Sequence, residues 1–146
     1  MRSFASLAQR AAHLRRTVAT APQTEHHAID EASRHFLDAV RAMPGTYQAG
    51  WAELEATTQA DRVAHGYSAD DPLLRSGTLR DSYQRRVLDH RHAIVGSDDP
   101  RAPWFENGTR RMPPRPILGA AAVAHGKHIA DGIGLHIHHH IAGRGF

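Results

Sequence analysis

The chain has no cysteine, one lysine and few aromatic residues. Without cysteine, disulfides and thiolate chemistry are excluded. With Lys127 as the sole lysine, seventeen of the eighteen basic residues are arginine. Arginine favours planar, bidentate and stacked contacts at interfaces, although a GC-rich genome gives the same skew. No apolar run approaches the roughly 18 residues of a membrane-spanning helix. The formal charge is only +3 despite a pI of about 9.9, too small an excess to indicate a nucleic-acid partner by itself. No nucleophile elbow is present. Gly132-Ile133-Gly134 lacks the later glycine and the βαβ setting of a phosphate loop. The first residues are basic (Arg2, Arg10, Arg15, Arg16) but hold no continuous apolar stretch, so they do not read as a secretory signal. Glu25, Asp30 and Glu31 follow soon after and favour an ordinary helix over a transit peptide.

What remains suits one domain over residues 1–146. The hydrophobic fraction of 40% is somewhat low, as in chains whose tails or faces are completed by a partner. Phe4, Leu7, Ala11, Leu14 and Val18 recur every three or four residues, which predicts an amphipathic helix. Pro22 marks its end, giving a helical N-terminal segment over 1–22. Thr24 then reads as the N-cap of a second helix, with Glu25, Asp30 and Glu31 near its positive dipole end. The apolar stripe of this second helix is Ile29, Ala32, Phe36, Ala39, Val40 and Met43, and Pro44-Gly45 stops it. Residues 46–66 fit a third helix around Trp51, Leu54 and Val63, or an extended arm. Residues 67–72 form a loop. Leu73–Ser82 reads as a short helical turn with Leu74 and Leu79 inward, which Ser76-Gly77 breaks or caps. Residues 82–97 form the best strand pair, turning at Asp89–His92. Trp104-Phe105-Glu106 is expected to pack inward. Ile117–Ile129 is a final helix, followed by a glycine-rich flexible tail or edge strand over 131–146.

The densest run of shaping residues lies between Leu73 and Leu118. In order it holds Leu74-Arg75-Ser76-Gly77-Thr78-Leu79-Arg80-Asp81-Ser82, a hairpin ending Val95-Gly96-Ser97, Phe105-Glu106-Asn107-Gly108-Thr109, and Met112-Pro113-Pro114-Arg115-Pro116-Ile117-Leu118. This stretch resembles the tail-completion (minor tail, virion morphogenesis, neck) proteins of tailed bacteriophages. Their pattern is L-x-[ST]-G-x-L-x-x-S, a strand pair ending V-G, a YA-x-x-x-E-x-G-T segment and M-P-x-R-P-F-L. Leu73 to Ala122 is covered, about half the chain. Ala102-Pro103-Trp104 stands where the family has Tyr-Ala, and Ile117 where it has Phe. Pro103 argues against a central strand there.

The resemblance implies an α+β fold, with a small antiparallel sheet packed by a long N-terminal helix and a C-terminal helix. It implies a non-enzymatic structural protein of the virion neck, assembled in the bacterial host cytoplasm. Its partners would be copies of itself in a six-fold ring and adjacent head–tail connector, tail-terminator or tail-tube proteins. Passing genomic DNA is a further possible contact. No cofactor and no membrane are expected.

The residues themselves suggest roles for the run. Gly77 suits a positive φ or a close backbone approach, and Gly108-Thr109 a turn. Glu106 is placed to pair with Arg110, Arg111 or Arg115, across subunits. The prolines stiffen Met112–Pro116 into an extended path that displays Arg115 for docking, or alternatively Pro116 merely opens the last helix. The expected interface is therefore Glu106, Arg110, Arg111, Met112, Pro114, Arg115 and Pro116, with Ser76, Gly77, Gly108 and Thr109 as its turns and caps. His136, His138 and His140 would share one face of a strand, and His125 and His128 lie three apart on a helix. Their setting among glycines reads as a mobile tail, so no metal is assigned. Asp70-Asp71 and Asp98-Asp99 flank prolines and read as turns. The alternative function is a small basic nucleic-acid-binding protein using Arg10, Arg15 and Arg16 with Arg85, Arg86 and Arg91. The aromatic stacking positions of a single-strand binder are absent from it.

Overall fold

The computed structural model describes residues 5–143, and its longest element is a single helix, α1, over Leu7–Ala42. Its 36 residues span about 54 Å. The Ser6 hydroxyl caps the start by accepting the Gln9 N–H at 3.2 Å. Phe4 lies outside the described residues.

The expected break at Pro22 does not occur, and Thr24 is an interior residue rather than an N-cap. A proline in a helix interior removes one backbone hydrogen bond and costs about 3 kcal/mol. Here the far end of the last helix splints the damaged turn. His140 Nε2 donates to the Thr17 carbonyl at 2.9 Å, and its Nδ1 lies 2.9 Å from the Thr24 hydroxyl. One imidazole thus bridges both sides of Pro22. With Nε2–H as the donor, Nδ1 is left to accept from Thr24.

α1 ends where sequence places it, at Met43-Pro44-Gly45. Gly45 has φ +97° and donates its N–H to the Pro72 carbonyl at 2.7 Å. The next stretch is both things that sequence allowed. An extended arm carries the buried Trp51, and a helix, α2, follows over Ala56–Ala64. Only Thr78–Ser82 of the following run is helical, as α3. Leu79 is buried there and Leu74 half-buried.

Strands β1 (Tyr83–Val87) and β2 (Ala93–Ser97) form an antiparallel hairpin with Tyr83 opposite Ser97 and Val87 opposite Ala93. Asp89 shapes the turn by accepting the N–H groups of Arg91 and His92 at 2.7 and 2.9 Å. The hairpin is bolted to α1. Arg85 meets Asp30 at 2.6 Å, Arg91 meets Glu25 at 2.8 Å, and Arg41 donates to the Tyr83 carbonyl at 2.7 Å.

Two short-range expectations fail in the remaining chain. Ala102–Asn107 is a helix, α4, with Pro103 in its first turn, where the missing N–H is not needed. Trp104 consequently points outward and is 55% exposed, while Phe105 packs on the core. The last helix, α5, runs over Leu118–Ile141, so the expected flexible tail is helical as far as Ile141. It packs against α1 for much of its length. Residues 144–146, with Gly145, lie outside the described residues.

The core gathers Leu37, Val40 and Met43 of α1 with Trp51, Leu79, Tyr83, Ala102, Ile117 and Ala121. It sits at the C-terminal end of α1, under the hairpin and the first turn of α5. A long N-terminal helix and a C-terminal helix thus pack on a two-stranded antiparallel sheet, the expected α+β arrangement.

Candidate functional site

The conspicuous run of the sequence folds into one corner. Asp99 opens it by accepting the N–H and the Nε of Arg101, both at 2.9 Å. The Arg101 guanidinium holds this carboxyl below its ordinary range. Arg101 also reaches the Thr78 hydroxyl at 3.4 Å, joining α4 to the start of α3.

Within the chain, Glu106 pairs with no arginine among the described residues. Its Oε1 accepts the N–H groups of Ile117 and Leu118 at 2.8 and 2.7 Å, and its Oε2 lies 3.5 Å from that of Gly119. The first N–H groups of a helix have no partner within it, and the helix dipole makes that end favourable for an anion. Glu106 is therefore the remote cap of α5.

Between the two helices the chain makes a tight hairpin. Gly108 has φ +73°, and a Cβ there would lie 2.9 Å from the Pro114 nitrogen, so both conformation and space require glycine. The Thr109 N–H donates to the Met112 carbonyl at 2.8 Å, and the Met112 N–H returns to Thr109 at 3.3 Å. Arg110 and Arg111 form the tip and are exposed, as is Pro114; Met112 and Pro116 are half-buried.

Arg115 is not displayed. It is 5% exposed, and its guanidinium donates to the carbonyls of Ala52 at 2.8 Å and Glu53 at 3.1 Å. Its own N–H bonds the Phe105 carbonyl at 2.7 Å. The proline-stiffened path points this side chain inward, where it fastens the arm between α1 and α2. The expectation of a projecting Arg115 is corrected: the exposed cations of the loop are Arg110 and Arg111.

Gly77 takes the N-cap position of α3, and Ser76 stands before it. The Ser76 and Thr78 hydroxyls are 2.9 Å apart, and Gly77 has φ +84° directly before α3.

Three of the motif segments converge on one cleft of about 470 Å³. Ser76, Gly77, Leu79, Phe105, Arg111, Met112 and Arg115 are among its lining residues. Arg62, Arg75 and Arg101 complete a set of five arginines, against Glu53 and Glu55. Arg75 is paired with Asp61 at 3.2 Å and Arg101 with Asp99. Arg62, only 6% exposed, instead donates to the carbonyls of Ser68 and Leu74, each at 2.7 Å. Like Arg115, it brings positive charge into the cleft wall while bonding neutral acceptors. Sequence inspection missed Arg62 and Arg101. Nothing local marks Arg62, whose acceptors are supplied by the returning loop.

The arginines considered for nucleic acid separate in space. Arg85 and Arg91 are committed to Asp30 and Glu25, while Arg10, Arg15 and Arg16 lie on the exposed first half of α1. The histidines are rearranged by the helical course of α5. His136 Nε2 lies 2.8 Å from Glu31, His140 grips Thr17 and Thr24, and His138 is exposed beside His139. His128 stacks edge-on with His35, the ring centres being 6.5 Å apart.

Among the described residues, no helix is long and apolar enough to cross a membrane. Against known proteins, the chain matches no family model, no curated protein and no solved structure.

Proposed function

We propose that this chain is a non-enzymatic structural protein of a bacteriophage neck, which completes the tail and joins it to the head connector as one subunit of a ring. The observation that carries this proposal is the convergence of separated motif segments on a single arginine-lined cleft rimmed by Arg111. The segments share scaffolding work there: Glu106 caps α5, Arg115 ties down the arm, and Gly77 and Gly108 make the bends. A joining protein needs shape and complementary charge, and the corner offers both.

Exposed apolar surface supports assembly. Leu7, Leu14 and Val18 form a stripe on the projecting half of α1, with Leu7 84% and Val18 74% exposed. Val123, Leu135, Ile137 and Ile141 are exposed along α5. Two different apolar patches on one subunit suit the head-to-tail contact from which rings close. The α1 stripe packs on the next copy, and the cleft with the Arg110-Arg111 tip faces connector, terminator or tail-tube neighbours. The alternative of a small basic nucleic-acid-binding protein has weaker support, because Arg85 and Arg91 are already paired with carboxylates.

Complementation of a phage lacking this gene tests the proposal. Arg110→Glu with Arg111→Glu should leave the fold intact, while full heads and free tails accumulate unjoined in negative-stain images. Normal titres from this double variant would refute the assigned surface.

A further inference from the structure

We infer that His27, Glu31 and His136 form a binding site for a late first-row divalent cation, best matched by Zn²⁺, which clamps the C-terminal half of α5 to α1. This is independent of the neck assignment.

His27, Glu31 and His35 recur every four residues and share one face of α1. His128 and His136 lie eight apart on α5. The antiparallel packing sets His27 against His136, with ring centres 5.3 Å apart, and His35 against His128. Glu31 falls midway in its series, as Gly132 does in the other.

One donor atom from each of His27, Glu31 and His136 lies within 4.8 Å of the others. Glu31 Oε2 is 2.8 Å from His136 Nε2 and 3.8 Å from His27 Nε2. Ligands about 2.0–2.1 Å from a tetrahedral ion stand roughly 3.3–3.4 Å from one another. The two separations from Glu31 bracket that value, and the two imidazole donors lie within 4.8 Å of each other. Two imidazoles and one carboxylate form a zinc ligand set that leaves a fourth position for water. Imidazole donors also suit Ni²⁺ and Cu²⁺, whereas Mg²⁺ and Ca²⁺ prefer all-oxygen sites.

The surroundings fit. A cavity of about 170 Å³ is lined by Glu31 and His136 together with Ala28, Ala32, Ile129 and Ile133. A Cβ built on Gly132 would meet nothing within 4 Å, so the space beside the ligands is open for water. His35 Nε2 lies 4.0 Å from Glu31 Oε1.

The fold also has a use for the ion. Ala121 is the only fully buried residue described in α5, and Gly126, Gly132 and Gly134 weaken the helix beyond it. A cation bridging His136 to α1 would hold this half in place, and its binding energy would appear as stability.

The test is calorimetric titration of Zn²⁺ into the full, metal-stripped chain, with Co²⁺ absorption as a probe of geometry. The expected result is about one ion per chain, a raised melting temperature and the d–d bands of a four-coordinate Co²⁺ site. His136→Ala and Glu31→Gln should each weaken binding at least ~10-fold. His138→Ala should bind as the parent does. Far-UV circular dichroism of the metal-free variants separates ligand loss from unfolding. Should His136→Ala lose helix, Glu31→Gln and His27→Ala decide the matter. Binding that survives all three substitutions but fails in His138→Ala with His139→Ala would identify adventitious capture and overturn the site. So would the absence of saturable binding.

Discussion

Replacing Glu106 by alanine isolates the contact that joins α4 to α5. Two of its bonds are short and converge on one oxygen, and the N–H of Ile117 belongs to a fully buried residue. Loss of a helix cap costs about 0.5–2 kcal/mol. The favourable charge at the helix N-terminus adds about 0.3–1 kcal/mol, and a buried donor left unpaired about 1–3 kcal/mol. These effects overlap, so the expected loss is about 2–3 kcal/mol. For a domain of this size that lowers the melting temperature by about 5–12 °C.

Glu106→Gln discriminates between causes. The amide oxygen can still accept both short bonds, while the charge is gone, so the expected loss is only about 1 kcal/mol. Urea denaturation of both variants, followed by circular dichroism, gives the two values. Retention of stability within about 0.5 kcal/mol in Glu106→Ala, the range of ordinary surface changes, would refute the capping role. A glutamine variant as damaged as the alanine one would instead point to an ion pair. That pair would be exposed by coupling in a double-mutant cycle with Arg115→Ala.

Arg115→Ala should destabilise the monomer by about 2 kcal/mol, since the carbonyls of Ala52 and Glu53 lose charge-assisted donors; unchanged urea midpoints would contradict its burial. Tyr83→Phe should keep or raise stability, because the buried Tyr83 hydroxyl has no hydrogen-bond partner among the described residues. Burial pushes the Tyr83 phenol up to about 12, above its unfolded value near 10. The folded state therefore holds the proton longer, and stability falls as pH rises from 10 towards 12. The phenylalanine variant should lose that part of the alkaline decline, and identical alkaline profiles would exclude a raised Tyr83. At the acid end, the bond from Arg85 holds Asp30 below its ordinary range, and that from Arg91 does so for Glu25. Their stabilisation is present above the unfolded values near 4 and is lost as pH falls through the lower folded ones. Asp30→Asn should flatten the acid limb of a pH–stability curve.

Local signals transferred well where local physics decides. The β1–β2 hairpin followed from alternation and a polar turn. The Pro44-Gly45 stop needed only a backbone position that glycine tolerates. The same rules failed where distant chain intervened. Pro22 looked like a terminus because the splinting His140 lies more than a hundred residues away in sequence. Four glycines and a histidine run looked like a tail, since α5 draws its order from packing against α1 and not from propensity. Glu106 and Arg115 were marked as important, but the partners they have within the chain were not foreseen. Sequence shows opposite charges nearby, whereas the fold supplies backbone donors at a helix start and backbone carbonyls on an arm. Both charged groups found neutral partners that no charge pattern reveals.

The molecule's two ends are consequently held by different means. Around Val40, Tyr83 and Ile117 an apolar core closes, and buried arginines and a glutamate tie the loops to it through backbone groups. Changes there act on stability. Towards the start of α1 burial thins out, and the contacts become histidine to carboxylate, hydroxyl and carbonyl, beside an apolar stripe facing outward. Those contacts are polar and stand beside the packing of α5 along α1. A helix that projects apolar residues at modest intrinsic stability is suited to a surface completed by another molecule. Under the proposed neck role, the well-packed end would present the arginine-lined cleft, and the apolar stripe of α1 would meet a neighbouring copy.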